Sequence, residues 1–173
     1  MGAARARTTS AQWAALRFFS RANRSSRTVS SFADYHRTTR GTASQTVKSL
    51  VERGMLQRTR QQTDGRVVQI DLTPEGARLS EKDPFEDIAR VIGGLPQADQ
   101  ATLTTILMSL SDQIAEDRQS RSFGPCSKCR YLRKSMGLED KETVYFCRFM
   151  SEPLPLSELD MTCMDYKAGV NRV

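Results

Sequence analysis

The 173-residue chain has a single histidine and a single tryptophan, and no cysteine in its first 125 residues. One imidazole leaves few partners for acid–base or nucleophilic chemistry. There is also no glycine-rich phosphate loop and no nucleophile elbow. The chain is therefore expected not to be an enzyme. No apolar run approaches the ~20 residues that a membrane-crossing helix needs. The N-terminal MGAARARTTS is basic, but no apolar stretch of the signal-peptide kind follows it. The expected location is the cytoplasm, with no membrane partner.

Hydrophobic residues make up 38% and charged residues 27% of the chain, so it is not wholly disordered. Its length allows one core-bearing domain and a small appendage. The net charge of +6 is unevenly spread: residues 1–80 carry +9 and residues 81–173 carry −3. Concentrated basicity suits a phosphate-binding surface, and it equally describes a solvated basic face.

Residues 28–76 order the rest of the chain. Thr9 or Ser10 can cap a helix over about Ala11–Ala22, with Trp13, Leu16 and Phe18 or Phe19 on its core face. Asn23–Arg27 reads as a polar loop. A short helix over Thr28–Tyr35, a turn over Arg37–Gly41 and a second helix over Thr42–Arg53 follow. Val47, Leu50 and Val51 lie three and four residues apart on the inner face of that second helix. Gly54 sits where a left-handed residue ends a helix most easily. Gln57–Arg60 and Val67–Leu72 then read as two strands around Thr63-Asp64-Gly65, and Thr73-Pro74 opens the next helix. This is the order of a winged helix-turn-helix, so double-stranded DNA is the expected partner.

On the exposed side of the second helix, Gln45 can bond bidentately to adenine. Thr42 and Thr46 can touch a thymine methyl or a phosphate, Ser44 is a further small polar contact, and Lys48 and Arg40 can reach phosphate or guanine. Arg58, Arg60 and Arg66 are placed to reach the backbone or the minor groove. His36, beside the turn, reads as a surface or phosphate-contacting residue.

Leu50 to Gly54, Met55, Leu56, Arg58, Asp64-Gly65-Arg66 and Leu72-Thr73-Pro74-Glu75-Gly76 together resemble the MarR family of bacterial transcription regulators. The resemblance spans about residues 10–118. It implies a homodimer on a pseudo-palindromic operator, with the second helix in the major groove and the wing in the minor groove. It also implies that Asp64 braces Arg66. The family's long leading helix has no counterpart in the roughly ten residues before the Trp13 helix, so dimerisation is expected to rest on the helices after Pro84 or on the cysteine region.

Those helices are expected from Pro84 to Gly93-Gly94 and from Pro96 to about Arg118. Leu103, Ile106, Leu107, Leu110 and Ile114 form one apolar stripe on the longer one, as a dimer interface would need. Packing against the chain's own first helix would also explain the stripe.

All four cysteines fall in the last 48 residues. Cys126 and Cys129 form a C-x-x-C, with Cys147 and Cys163 beyond it. Four thiolates complete a tetrahedral set. An iron–sulfur cluster (4Fe-4S or 2Fe-2S), a structural zinc and free thiols compete for this set. Lys128, Arg130, Arg133, Lys134 and Arg148 are expected to offset its charge, and Tyr131, Tyr145, Phe146 and Phe149 to shield it or to form a minimal core.

The expected fold is thus mainly α with a small β-wing. A winged helix-turn-helix domain is placed at 1–80, dimerisation helices at 81–122 and a small cysteine-ligated metal module at 123–173. The expected function is a MarR-like regulator whose metal centre senses redox state, oxygen, nitric oxide or iron, with control passing through the helix that ends near Arg118. One alternative is the same reader with a structural zinc and a small-molecule effector. A thiol oxidoreductase using Cys126 and Cys129 is the remote alternative, since no thioredoxin-like pattern surrounds the pair.

Overall fold

The computed structural model describes residues 8–60, 68–136 and 143–169. The chain forms two units. The first is Met1–Arg21 with Arg27–Pro96, and the second is Ala22–Ser26 with Gln97–Val173. The division falls after Pro96, where the sequence pattern suggested breaks near 80 and 122. The reason lies in the long helix Gln97–Asp117, whose Met108 packs against the cysteine-containing core.

In the first unit, α1 spans Ser10–Arg21. A capping box opens it: the Thr9 Oγ1 accepts from the Gln12 amide at 3.3 Å, and the Gln12 Oε1 accepts from the Thr9 amide at 3.0 Å. Ala15, Leu16, Phe18 and Phe19 are buried, while Trp13, expected in the core, is only half-buried. α2 spans Val29–Tyr35 behind the cap Thr28, and α3 spans Arg40–Glu52 behind the cap Thr39. The ring of Phe32 meets those of Phe18 and Phe19 at 5.6 and 5.5 Å. Each such buried ring or aliphatic side chain contributes about 1.5–3 kcal/mol. Ala43, Val47 and Leu50 carry α3 into this core.

Gly54 adopts φ +70, the left-handed turn expected of it. β1 (Leu56–Arg60) and β2 (Val68–Leu72) then pair antiparallel, with Leu56 opposite Leu72 and Arg58 opposite Ile70. Ile70 is fully buried, but Val68 is exposed because the ribbon has by then left the core. Thr73 caps α4 (Pro74–Ser80), and α5 runs Phe85–Gly93.

Arg17 on α1 grips Asp83, just ahead of α5, through two hydrogen bonds of 2.7 Å. Asp83 also accepts from the Phe85 amide at 2.9 Å. The Arg17 guanidinium holds the Asp83 carboxyl below its ordinary value of 3.8, against the opposing effect of burial. A carboxylate favoured in the folded state gives stability that is full above that ordinary value and is lost as pH falls below it. Asp83→Ala should cost about 2 kcal/mol at neutral pH, less than a fully buried pair because Arg17 is partly exposed. The difference from wild type should shrink in thermal melts taken below pH 4.

The second unit contains α6 (Gln97–Asp117) and short strands. β3 (Gly124–Pro125) pairs with β7 (Thr162–Cys163), and β4 (Leu132–Met136), β5 (Thr143–Cys147) and β6 (Glu152–Leu154) form a three-stranded antiparallel sheet. The loss of helical periodicity after residue 123 thus marks a β-rich module. Its core is Cys126, Leu154, Cys163 and Tyr166. Tyr166 lies over Gly124 so closely that a Cβ there would stand 2.8 Å from its ring. Among the described residues, no helix is long and apolar enough to cross a membrane.

Candidate nucleic-acid interface and cysteine cleft

The turn of the helix-turn-helix occupies His36–Thr39, and Arg37 takes a left-handed φ of 51 to make it. α3 therefore starts two residues earlier than the pattern suggested, and Arg40 lies in its first turn. The missed signal was Thr39, whose Oγ1 accepts from the Thr42 amide at 3.1 Å. Arg40, Thr42, Ser44, Gln45 and Lys48 are exposed along α3, and Thr46 is half-buried.

Two of these side chains are already engaged. The Thr42 hydroxyl shares a 2.9 Å hydrogen bond with Thr39, and the Thr46 hydroxyl donates to the Thr42 carbonyl at 3.1 Å. Their methyl groups are what they can offer a thymine. Ser49 faces inward and accepts from the Gln12 amide group at 2.9 Å, so it is not part of the polar reading face. Lys48 pairs with Glu52 at 3.8 Å, but both side chains are more than half exposed. Such a pair is weak enough to give way to a phosphate. At the N-terminus of α3 the helix dipole adds favourable potential for an anion.

In the wing, Arg58 and Arg60 are exposed and stand two residues apart on one face of the ribbon. Asp64 and Arg66, with Thr63, Gly65 and Val67, lie outside the described residues. His36 packs edge-on against Phe32 and Tyr35, 4.9 and 5.0 Å between ring centres. Burial lowers its pKa below the ordinary value of 6.5. His36 is nonetheless exposed overall, in keeping with the surface position expected of it.

The four cysteines all line one cleft in the second unit, whose enclosed space is small, about 20 Å³. Cys126 and Cys163 are buried and hydrogen-bond to each other; Cys129 and Cys147 are half-buried at its side. That bond favours a thiolate on Cys163, lowering its pKa to about 6, and pushes the Cys126 thiol up. Among the described residues, no three His, Cys, Asp or Glu side chains stand together as a metal-binding group.

Tyr131, Leu132, Phe149, Met150 and Leu154 give the cleft apolar walls, and Tyr145 packs against its core. Phe146, expected to shield the site, is instead exposed. The expected ring of cations is also elsewhere. Arg130, Arg133 and Arg148 line a separate surface groove, and Lys128 donates to the Met108 sulfur at 3.6 Å. The cation lining the cleft is Arg24, which with Asn23 and Ser25 comes from the segment between α1 and α2. Nothing local in the sequence marked these three residues.

Residues 8–67 match the family model described as MarR family. The matched range holds α1, α2, α3 and β1. Among solved structures, S. aureus MepR bound to ethidium bromide is 23% identical and covers 62% of this chain and 81% of its own, with a TM-score of 0.46. The PcaV transcriptional regulator from Streptomyces coelicolor, in complex with its natural ligand, is 27% identical over 61% of this chain and 75% of its own, with a TM-score of 0.42. A MarR family protein from Bacillus stearothermophilus is 21% identical over 62% and 75%, with a TM-score of 0.47. No curated protein matches the chain.

Proposed function

We propose that this chain is a MarR-type regulator that binds double-stranded DNA as a homodimer and carries a thiolate-ligated iron–sulfur centre that controls binding. The convergence of Cys126, Cys129, Cys147 and Cys163 on one cleft carries the sensing part. The donors arrive from three places in the chain: the Cys126 and Cys129 pair in the turn after β3, the end of β5 and β7. One close pair with two single donors suits a cluster better than the two close pairs usual for structural zinc. When bound, such a centre supplies a redox- and oxygen-labile charge at the buried sulfurs. The thiolate favoured on Cys163 is the form in which a cysteine ligates metal. The apolar walls limit water and oxidant access to the sulfurs.

The homodimer reading rests on exposed apolar side chains within each unit. On α5, Phe85, Ile88 and Val91 are exposed at i, i+3 and i+6. On α6, Ile106, Leu107, Leu110 and Ile114 are exposed over two turns. Helices with such rows bury them against another surface. A two-fold dimer would give an operator with two half-sites.

On DNA, Gln45 reads base edges, while Arg40, Lys48, Arg58 and Arg60 bind the backbone. Gln45→Ala should relax the choice at one base pair by about 1–3 kcal/mol while leaving the salt dependence unchanged. Arg58→Ala should weaken all sequences alike and reduce the salt slope by about one phosphate contact. Operator selection from a random pool and shift assays at several salt concentrations separate the two. Uniform loss of affinity in Gln45→Ala would count against its role as a base reader.

Protein purified without oxygen should be brown, absorb in the visible range and contain iron and sulfide. Colourless protein with one zinc per chain would defeat the sensor reading and leave a structural site. A small-molecule effector would then be the expected signal.

A further inference from the structure

The pairing of β4 with β5 sorts their side chains onto two faces. Leu132 stands opposite Cys147 and packs, with Tyr145, against the core of the module. Successive side chains on a strand alternate in direction, so Arg133 and its partner Phe146 face outward. The Arg148 amide donates to the Tyr131 carbonyl at 3.0 Å, which carries the pairing one residue past the ladder. Tyr131 and Arg148 therefore continue the outward row that Arg133 and Phe146 begin. Arg133 and Arg148 are both exposed.

Beside that row lies an open surface groove of about 390 Å³, lined by Arg130, Tyr131, Arg133, Arg148 and Phe149. Its lining is arginine and aromatic, with no carboxylate. Residues 81–173 carry a net −3, so this concentration of cations runs against the local balance. A surface kept only for solubility intersperses both signs. The Arg133 Nη1 donates to the Arg130 and Leu132 carbonyls at 2.9 and 2.7 Å. These bonds fix the guanidinium by the groove, and its other nitrogens carry further donors. Arg130 lies over the Tyr131 ring, 5.8 Å from its centre. The Tyr131 and Phe149 rings stand 5.3 Å apart, tilted by 38°. Phe149 is 52% exposed, so much of its face is open to a ligand.

We infer that this groove is a nucleotide site, with the base held against Tyr131 and Phe149 and the phosphates held by Arg130, Arg133 and Arg148. The volume suits a small molecule. Guanidinium forks match phosphate oxygens in shape as well as in charge. Three of them suit a ligand with several negative charges, a nucleoside di- or triphosphate. Inorganic phosphate would leave the exposed Phe149 ring unused. Duplex DNA would leave it unused too, because its base faces are hidden in the stack. A free base covers such a ring whatever its identity, since every base has a π-face. The lining residues all lie in the second unit and none is a cysteine, so the site does not depend on what the thiols hold.

The test is calorimetric titration of the full chain as isolated with ATP, GTP, adenosine, pyrophosphate and a single-stranded oligothymidylate. ATP and GTP should each bind once per chain, about tenfold or more tighter than adenosine or pyrophosphate. Phe149→Ala should weaken ATP about tenfold and leave pyrophosphate unchanged. Arg148→Ala should weaken ATP and pyrophosphate alike, by about tenfold or more. Both side chains are exposed, so neither change empties the core. Lys134→Ala removes an exposed cation of β4 that does not line the groove, and it should change nothing. Failure of ATP and GTP to bind overturns the proposal, as does pyrophosphate binding as tightly as ATP. Tighter binding of the oligothymidylate than of ATP overturns it in favour of a single-strand groove. An equal loss in Arg148→Ala and Lys134→Ala would reduce the effect to net charge and overturn it as well. Metal content, followed throughout, keeps the two readings separate: nucleotide binding by colourless or zinc-containing protein upholds this site and removes only the iron–sulfur centre.

Discussion

Gly76→Ala should destabilise the first unit by about 3 kcal/mol or more, the upper end of what overpacking costs. A Cβ at Gly76 would lie 2.0 Å from the Met55 carbonyl oxygen and 2.9 Å from its carbon. Both are backbone atoms, so no rotamer change relieves the clash. The same carbonyl accepts from the Thr73 amide at 3.1 Å, and the Thr73 hydroxyl donates to the Gly54 carbonyl at 2.6 Å. These bonds clamp the first turn of α4 onto the start of β1, and the added methyl must break them. The expected fall in melting temperature is about 15 °C for a unit of this size. Operator affinity should fall with it, since β1 carries Arg58 and Arg60. Gly93→Ala is the control: nothing lies within 4 Å of its Cβ position, so stability should hold or rise slightly. A loss below about 1 kcal/mol in Gly76→Ala would mean that the close approach to Met55 does not exist.

Cys163→Ser should abolish metal binding and unfold the β-rich module while the winged helix-turn-helix stays folded. The buried side chains of that module are few: Cys126, Leu154, Cys163 and Tyr166 form its core. On the proposed reading, a fragment so poor in apolar burial depends on the bound centre, because binding free energy of about 10 kcal/mol or more then acts as folding free energy. Cys163 also pairs with Gly124 and hydrogen-bonds to Cys126, so its loss reaches both walls of the cleft. Metal content should drop to background, and amide protection across β5 and β6 should fall about a thousandfold. Removing the metal from wild-type protein with a chelator should reproduce both effects. Unchanged metal content in Cys163→Ser would remove this residue from the ligand set; unchanged protection would show that the module folds on packing alone.

The first unit was legible because its signals are local. The Thr9 cap, the spacing of Val47 and Leu50, the left-handed Gly54 and the Thr73-Pro74 start each act within one or two turns. Errors there were small displacements, such as the start of α3 at Arg40, which the capping threonine would have corrected. Trp13 showed that large apolar residues on a helix face are not equally buried. In the second unit the cysteines announced themselves by type; all four line one cleft, but among the described residues no three of them stand together as a metal-binding group. The strands were not legible, because strands of two to five residues leave almost no period to read. Asn23, Arg24 and Ser26 were illegible for a deeper reason. Their partners lie 103, 129 and 138 residues away, and no local pattern encodes a contact at that separation.

Those separations also set a clock. A chain leaves the ribosome from its N-terminus, at about 5–20 residues per second. The loop between α1 and α2 emerges well before Thr162 and Met164, which hold it. During that interval the DNA-reading helices can fold, but the bonds that hold Ala22–Ser26 cannot form. Every newly made molecule thus passes through a stage in which the DNA-reading helices can exist before the loop that joins α1 to α2 is held in place.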